Sequence, residues 1–375
     1  MCCRGKAAGP AGVGVVWEMA VNRLAKIFKL NKQGFNPVLG LSAVVPVLIL
    51  DLVLHVLHLE EYFLSVLWAL VVQLVSDPGG KHGYRVSYLA GLGVIGALLT
   101  ALGFGIGGGA WGWVVLAAFA VTLLASLAVR YGRHRFVAAL QLNLWFLIAL
   151  HLPDSFRLGH LPIDAWAQAL AWLIGSALFV VTVTVVWLAR GRRPPPALLA
   201  GTVPGSTQPV PLRRPVIMFA ALRAVVVAIT VAIAWGLHVQ YADWMALSAL
   251  VAMKPSLAES ALKAEQRLAG VTIGAAVAAL VLLTVHEVIA LGVIIAVLGG
   301  LAVSLVGVNY AWYYAAMTGV VLISLDLPHP SDLADEARRV LFTLVGVGIA
   351  VLVMFLADLL AKRAPAAVQP AGQAG

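Results

Sequence analysis

Uninterrupted apolar stretches recur along the whole chain, and they leave few folds open. "LSAVVPVLILDLVLHVLH", from Leu41, is representative. A helix of about 18 or more apolar residues can cross the hydrocarbon core of a bilayer. Inside that core every backbone N–H and C=O must be satisfied within the segment itself, which helices achieve. Such segments fall near 37–57, 62–76, 86–104, 111–129, 136–150 and 165–189, and again near 216–237, 241–253, 267–285, 288–306, 309–325 and 337–361. Composition agrees: 62% of residues are hydrophobic and 11% charged, whereas a soluble domain is about one quarter charged. The expected fold is an all-α polytopic membrane protein of about 12 transmembrane helices.

Between the two sets of six lies "RGRRPPPALLAGTVPGSTQPVPLRRP", rich in proline and basic residues and expected to be an extended linker. The chain therefore divides into an N-terminal segment 1–36, a first membrane half 37–189, the linker 190–215, a second membrane half 216–361 and a tail 362–375. In the N-terminal segment, Trp17, Val21, Leu24, Ile27 and Phe28 recur at helical spacing, with Arg23, Lys26, Lys29 and Lys32 opposite. That pattern predicts a basic amphipathic helix on an anionic membrane face. Cys2 and Cys3 lie in the same segment and offer no disulfide framework or metal cluster.

The formal net charge is +9. In a chain this apolar the excess points to cytoplasmic loops rather than to a nucleic-acid partner. Basic residues cluster in the N-terminal segment, at Lys81 and Arg85, at Arg130, Arg133 and Arg135, in the linker, at Lys254, Lys263 and Arg267, and at Lys362 and Arg363. With twelve spans, all of these fall on one side, so both termini are expected in the cytoplasm and the protein in the inner membrane. Arg157 and the pair Arg338–Arg339 are the exceptions on the outer side. The halves also resemble one another: "RVSYLAGLGVIGALL" from Arg85 parallels "EQRLAGVTIGAAV" from Glu265, and "LSAVVPVLILDLVLHVLH" parallels "LRAVVVAITVAIAWGLH" from Leu222. Six is an even number of crossings, so the expected copies are two parallel six-helix repeats.

Few residues break the apolar pattern, and they are the candidates for chemistry. Each half has an unusually short second segment, Tyr62–Val75 and Ala242–Met253, of 14 and 12 residues, closed by Pro78 and Pro255. Paired short, proline-ended segments point to a transporter's central site, although a tilted helix followed by a turn reads the same way. Arg223 sits about seven residues into its span. A charge at that depth faces a cavity or a partner, so it either grips a carboxylate in a bidentate pair or pairs with an acidic group or a lipid phosphate. Asp51 and His55 stand four apart on the first span, and His238 and Asp243 flank the loop before the short segment of the second half. These four are proton-coupling candidates, because imidazole titrates near neutral pH and burial raises a carboxyl's pKa. Their other reading is as hydrated residues at the outer interface.

Gly270 and Gly274 form a small-xxx-small face suited to close helix packing. "GFGIGG" from Gly103 matches a dinucleotide pattern in letters only, since no strand–turn–helix unit surrounds it. Zinc, serine-hydrolase and P-loop signatures are missing from the sequence. No cofactor, metal or catalytic residue is expected, and the chain does not read as an enzyme.

From Pro215 onward the residues "ALRAVVVAITVAIAWGL", "YADWMALSALVAMKPSL" and "RLAGVTIGA" resemble the fusaric-acid-resistance-protein-like (FUSC) membrane transporters, which overlap the aromatic acid exporters. Arg223, Trp244, Pro255, Ser256, Arg267, Gly270 and Gly274 match the family pattern, while Thr272 stands one place off the family threonine. The likeness covers 216–361 well and 38–189 more weakly. It implies efflux of aromatic or other hydrophobic organic anions driven by the proton gradient, with Arg223, Trp244, Ser256 and Arg267 as candidate substrate contacts. Plant aluminium-activated malate channels look like distant relatives, so anion conduction is the alternative, and a non-transporting membrane scaffold is the third. The implied partners are a small organic anion and the lipid bilayer, and the pattern is compatible with a homo-oligomer. Larger family members carry a sizeable soluble domain where this chain has only its linker.

Overall fold

The computed structural model describes residues 24–158, 164–193, 211–236, 242–253, 261–285, 287–326 and 333–363. Among these there is no β-strand. The longer helices are α1 (Pro37–Val56), α2 (Phe63–Ser76), α3 (His82–Ile106), α4 (Trp111–Leu127), α5 (Arg133–Leu158), α6 (Ala165–Ala189), α7 (Arg214–Gly236), α8 (Asp243–Ala252), α9 (Ala261–Thr284), α10 (Val288–Leu305), α11 (Tyr310–Asp326) and α12 (Leu333–Arg363). Each falls on one of the apolar segments read from the sequence. Six stretches are long and apolar enough to cross a membrane: His82–Ile106, Trp111–Tyr131, His134–Pro153, Ala165–Ala189, Arg214–Gly236 and Val288–Leu305. Shorter apolar stretches include Val44–Val56, Asp243–Ala252, Ala269–Thr284, Tyr310–Leu325 and Leu341–Ala357.

The chain folds as two compact units. One draws on Met1–Leu64 and Ser256–Pro330, and within it α10 packs against α1 and α11, and α11 against α9. Between apolar helices in lipid, small residues decide where backbones can approach. Gly40 and Gly300 bring α1 onto α10, where an added methyl would meet Ser304 or Val44. Gly270 and Gly274 do the same for α9, facing the backbone of Ala311 and Ala315 on α11.

Asn309 starts α11. Its Oδ1 accepts from the backbone N–H of Ala311 (2.7 Å) and Trp312 (3.2 Å), satisfying two of the donors that a helix start leaves open. Its Nδ2 donates to the carbonyls of Ile27 (2.8 Å) and Lys29 (3.0 Å). Gln266 donates to the same Ile27 carbonyl (3.0 Å), and the Phe28 ring lies 5.7 Å from that of Trp312. The described end of the basic N-terminal segment is thus clipped to protein, with Ile27 buried and Lys26 and Lys29 exposed. Of the expected apolar face, Ile27 is buried and Phe28 half-buried against Trp312, while Leu24 is exposed.

The second unit draws on Ser65–Pro255 and Ser331–Gly375. Here α3 packs against α5 and α6, α4 against α5 and α7, and α8 against α7 and α12. Its centre is aromatic: Trp145 lies 5.8 Å from Trp68 and 5.1 Å from Trp172, and its indole N–H donates to Thr100 (2.8 Å). Gly93 and Gly96 admit Ser176 and Trp172 against α3. Asp164 caps α6, accepting from the backbone N–H of Trp166 (2.9 Å) and Ala167 (3.1 Å).

Candidate functional site

A charge buried among apolar helices is costly unless it is paired, so the buried charged groups locate the chemistry. In the second unit they gather around the ends of the short helices α2 and α8.

Helix α8 has ten residues, roughly 15 Å of rise against a hydrocarbon core of about 30 Å. At its C-terminal end Arg223, 1% exposed on α7, donates from Nη2 to the Leu250 carbonyl at 2.5 Å. Leu250 carries one of the last carbonyls of the helix, which have no partner inside it. A cation there also complements the negative end of the helix dipole. The guanidinium carbon lies 5.9 Å from the centre of the Phe136 ring, a cation–π arrangement. Among the described residues, the partner the structure gives Arg223 is thus the end of a helix.

At the N-terminal end Asp243 is buried, with Oδ1 3.5 Å from His151 Nδ1 of α5. The hydrated-interface reading of Asp243 is corrected by this burial. His151 also meets the edge of Trp235 from α7, 6.3 Å between ring centres. Trp244, 9% exposed, lies under the Arg339 guanidinium of α12 at 5.9 Å. Arg339, an outer-side exception to the charge rule, is buried there rather than placed in a loop. Four helices thus bring an acid, an imidazole, a guanidinium and two indoles to one end of α8.

At the end of α2 the structure holds a pair that residue patterns did not single out. Arg85, 2% exposed, grips Asp77 with both Nε (2.7 Å) and Nη2, and Asp77 also accepts from the Gly79 N–H at 3.0 Å. In the sequence Arg85 looks like Lys81, one more basic mark of a cytoplasmic loop. Lys81 is exposed and Arg85 is not. Pro78 sits half-buried between Asp77 and Gly79, where it ends α2.

In the first unit Asp51 and His55 are not joined as a proton pair. His55 Nδ1 is 2.9 Å from Glu60 Oε1, both being well exposed. The Asp51 carboxylate lies against Gly292 of α10 instead. His238, Pro255 and Ser256 fall outside the described residues, and so does the side chain of Arg267. Among the described residues no group of three or more His, Cys, Asp or Glu is placed to hold a metal ion.

Apolar helices in this number define a multi-pass helical membrane protein. Residues 227–353 match the model of the family described as fusaric acid resistance protein-like, which is the FUSC family that the motifs resemble. The match spans Trp244, Gly270 and Gly274 and supports membrane transport of some kind. No curated protein and no solved structure matches the chain.

Proposed function

We propose that this protein exports aromatic or other hydrophobic organic anions across the inner membrane, coupled to inward proton movement. The observation that carries the reading is α8, a helix too short to cross a bilayer and bounded at both ends by buried charged groups. Interrupted helices of this kind are where transporters place their central sites. Arg223 holds one end. At the other, Asp243 and His151 form a titratable pair beside Trp244 and Arg339, which together offer an aromatic face and a cation to an aromatic carboxylate. On the family pattern Ser256 and Arg267 are further proposed substrate contacts. The reading involves no bond-making step and no cofactor.

Twelve spans in two parallel halves, with both termini in the cytoplasm, complete the proposal. Helix packing within the units supports it. The fourth helix of the first half, α4, packs on α7, the first of the second half; the fourth of the second half, α10, packs on α1. Likewise α3 packs on α5 as α9 does on α11. Reciprocal pairings of this kind are what a duplicated six-helix plan produces.

The test is efflux of radiolabelled benzoate from proteoliposomes, with and without an imposed pH gradient, against protein-free liposomes. Saturable efflux that the gradient accelerates is the expected result. Efflux indistinguishable from the protein-free blank overturns the proposal, and saturable flux indifferent to the gradient points to a channel.

A further inference from the structure

Beside the Asp77–Arg85 pair the second unit buries several polar atoms with nothing to bond. The Nη1 of Arg85, the Oγ of Ser76, the hydroxyl of Tyr88 and the Oε1 of Gln73 all lack a partner. Contacts through Leu89 and His134 relate Gln73, Ser76 and Tyr88. Gln73 donates to the carbonyl of Leu89, next to Tyr88 (2.9 Å); His134 bonds the Ser76 carbonyl (2.9 Å) and lies 5.6 Å from the Tyr88 ring. Arg85 and Tyr88 are three apart on α3, hence on one face. Buried polar groups in native proteins are nearly always satisfied, so a concentration of orphans at one place indicates a group that completes it.

The orphans define what would fit. Arginine presents five N–H donors, and Asp77 occupies only the Nε–Nη2 side. The end carrying Nη1 is buried and has no hydrogen-bond partner, and a guanidinium edge of that kind can donate to a carboxylate oxygen. The Ser76 and Tyr88 hydroxyls can each donate as well. Lys81, exposed at the start of α3, adds a positive charge four residues from Arg85. Aromatic surface is at hand in Tyr88 and in the His82–Trp187 stack, 4.0 Å between ring centres. In the adjoining turn Asp77–Lys81, Gly79 and Gly80 both take positive φ, and Gly80 and Lys81 are exposed.

We propose that the end-on edge of Arg85, with the hydroxyls of Ser76 and Tyr88, is a binding site for the carboxylate of an aromatic acid, loaded before transport. The substrate class rests on the function proposed above; the site itself rests on the orphaned donors. It is distinct from Arg223, whose Nη2 donates to the Leu250 carbonyl.

The experiment is equilibrium binding of benzoate to the full chain in detergent, with benzamide, which has the same shape and no charge, as control. The wild type is expected to bind benzoate saturably and benzamide at least about tenfold more weakly, as the loss of a charge-assisted contact implies. Arg85→Lys keeps the charge beside Asp77 but loses the second edge, and should weaken benzoate about tenfold or more. Tyr88→Phe and Ser76→Ala should each weaken it several-fold without loss of folding. If instead these two variants bind benzoate unchanged while melting at higher temperature, the orphans serve no ligand and the proposal fails. Equal binding of benzamide and benzoate, or no binding of benzoate, also overturns it. Transport that is intact in the wild type and indifferent to all three variants refutes this site while leaving the exporter reading standing.

Discussion

Asp51 and Gly292 face each other across the α1–α10 contact so closely that a methyl group on the glycine would overlap the carboxylate. The glycine is therefore the space into which the acid fits. Gly292→Ala should destabilise the protein by about 1–3 kcal/mol, the usual cost of overpacking a tight contact. Asp51→Ala should relieve it, so that the double variant loses much less than the sum of the singles. Thermal unfolding of the four proteins in detergent gives the coupling. Additive losses would mean that the two residues do not share this contact.

Arg223 and Leu250 give a second test. Removing the guanidinium leaves the Leu250 carbonyl buried without its donor, at a cost of about 1–3 kcal/mol, and Arg223→Ala should lower the melting temperature accordingly. Arg223→Lys keeps a donor and a cation near the helix end and should recover part of the loss. If Arg223→Ala melts like the wild type, the arginine is not holding α8, and the substrate-gripping reading regains its place.

The comparison of Arg223 with Arg85 shows what could be read in the letters alone. Helix positions were legible because each coincides with a predominantly apolar run, even the ten-residue α8. One end was legible as well, at Pro78 after α2. What one charged residue does was not legible. Arg85 and Lys81 share a loop and a sign, yet one is buried on Asp77 and the other is exposed. Their difference arises from the return of α3 past the end of α2, a tertiary fact with no periodic signature. His151 was hidden for the same reason, as one polar letter in an apolar helix whose partner lies 92 residues away. Arg339 did leave a trace: it broke the charge rule on the outer side, and a basic residue on the wrong side of a membrane protein is a candidate for burial.

Asn309 performs two tasks with its two side-chain ends, and a single-atom change separates them. Asn309→Asp keeps an oxygen for the Ala311 and Trp312 N–H groups but cannot donate to Ile27 and Lys29. It should leave α11 capped while releasing the N-terminal segment, so that protease cleaves near Lys26 and Lys29 faster with little change in melting temperature. Asn309→Ala should do both, adding about 1 kcal/mol for the lost cap. Equal cleavage of wild type and Asn309→Asp would show that the segment is held by its other contacts, among them Gln266, Phe28 and the Asn31 N–H on the Val308 carbonyl.

His151 and Asp243 carry the proposed proton step, and their variants separate coupling from carriage. The carboxylate and imidazole lie 3.5 Å apart, Asp243 is buried, and the charged groups near them are Arg339, over the adjacent Trp244, and Arg338 beside it in sequence. Asp243→Asn keeps the shape and removes the titrating group. If a proton on this pair drives export, the variant should still exchange labelled for unlabelled benzoate at equal concentrations. It should lose the acceleration that an imposed pH gradient gives the wild type. His151→Gln should show the same split, because an amide holds a hydrogen bond but takes no proton in this range. Both are read in the same proteoliposome assay, by the ratio of gradient-driven efflux to exchange. A variant in which both rates fall together has lost the carrier rather than the coupling, and a ratio unchanged from wild type in Asp243→Asn would remove this pair from the proton route.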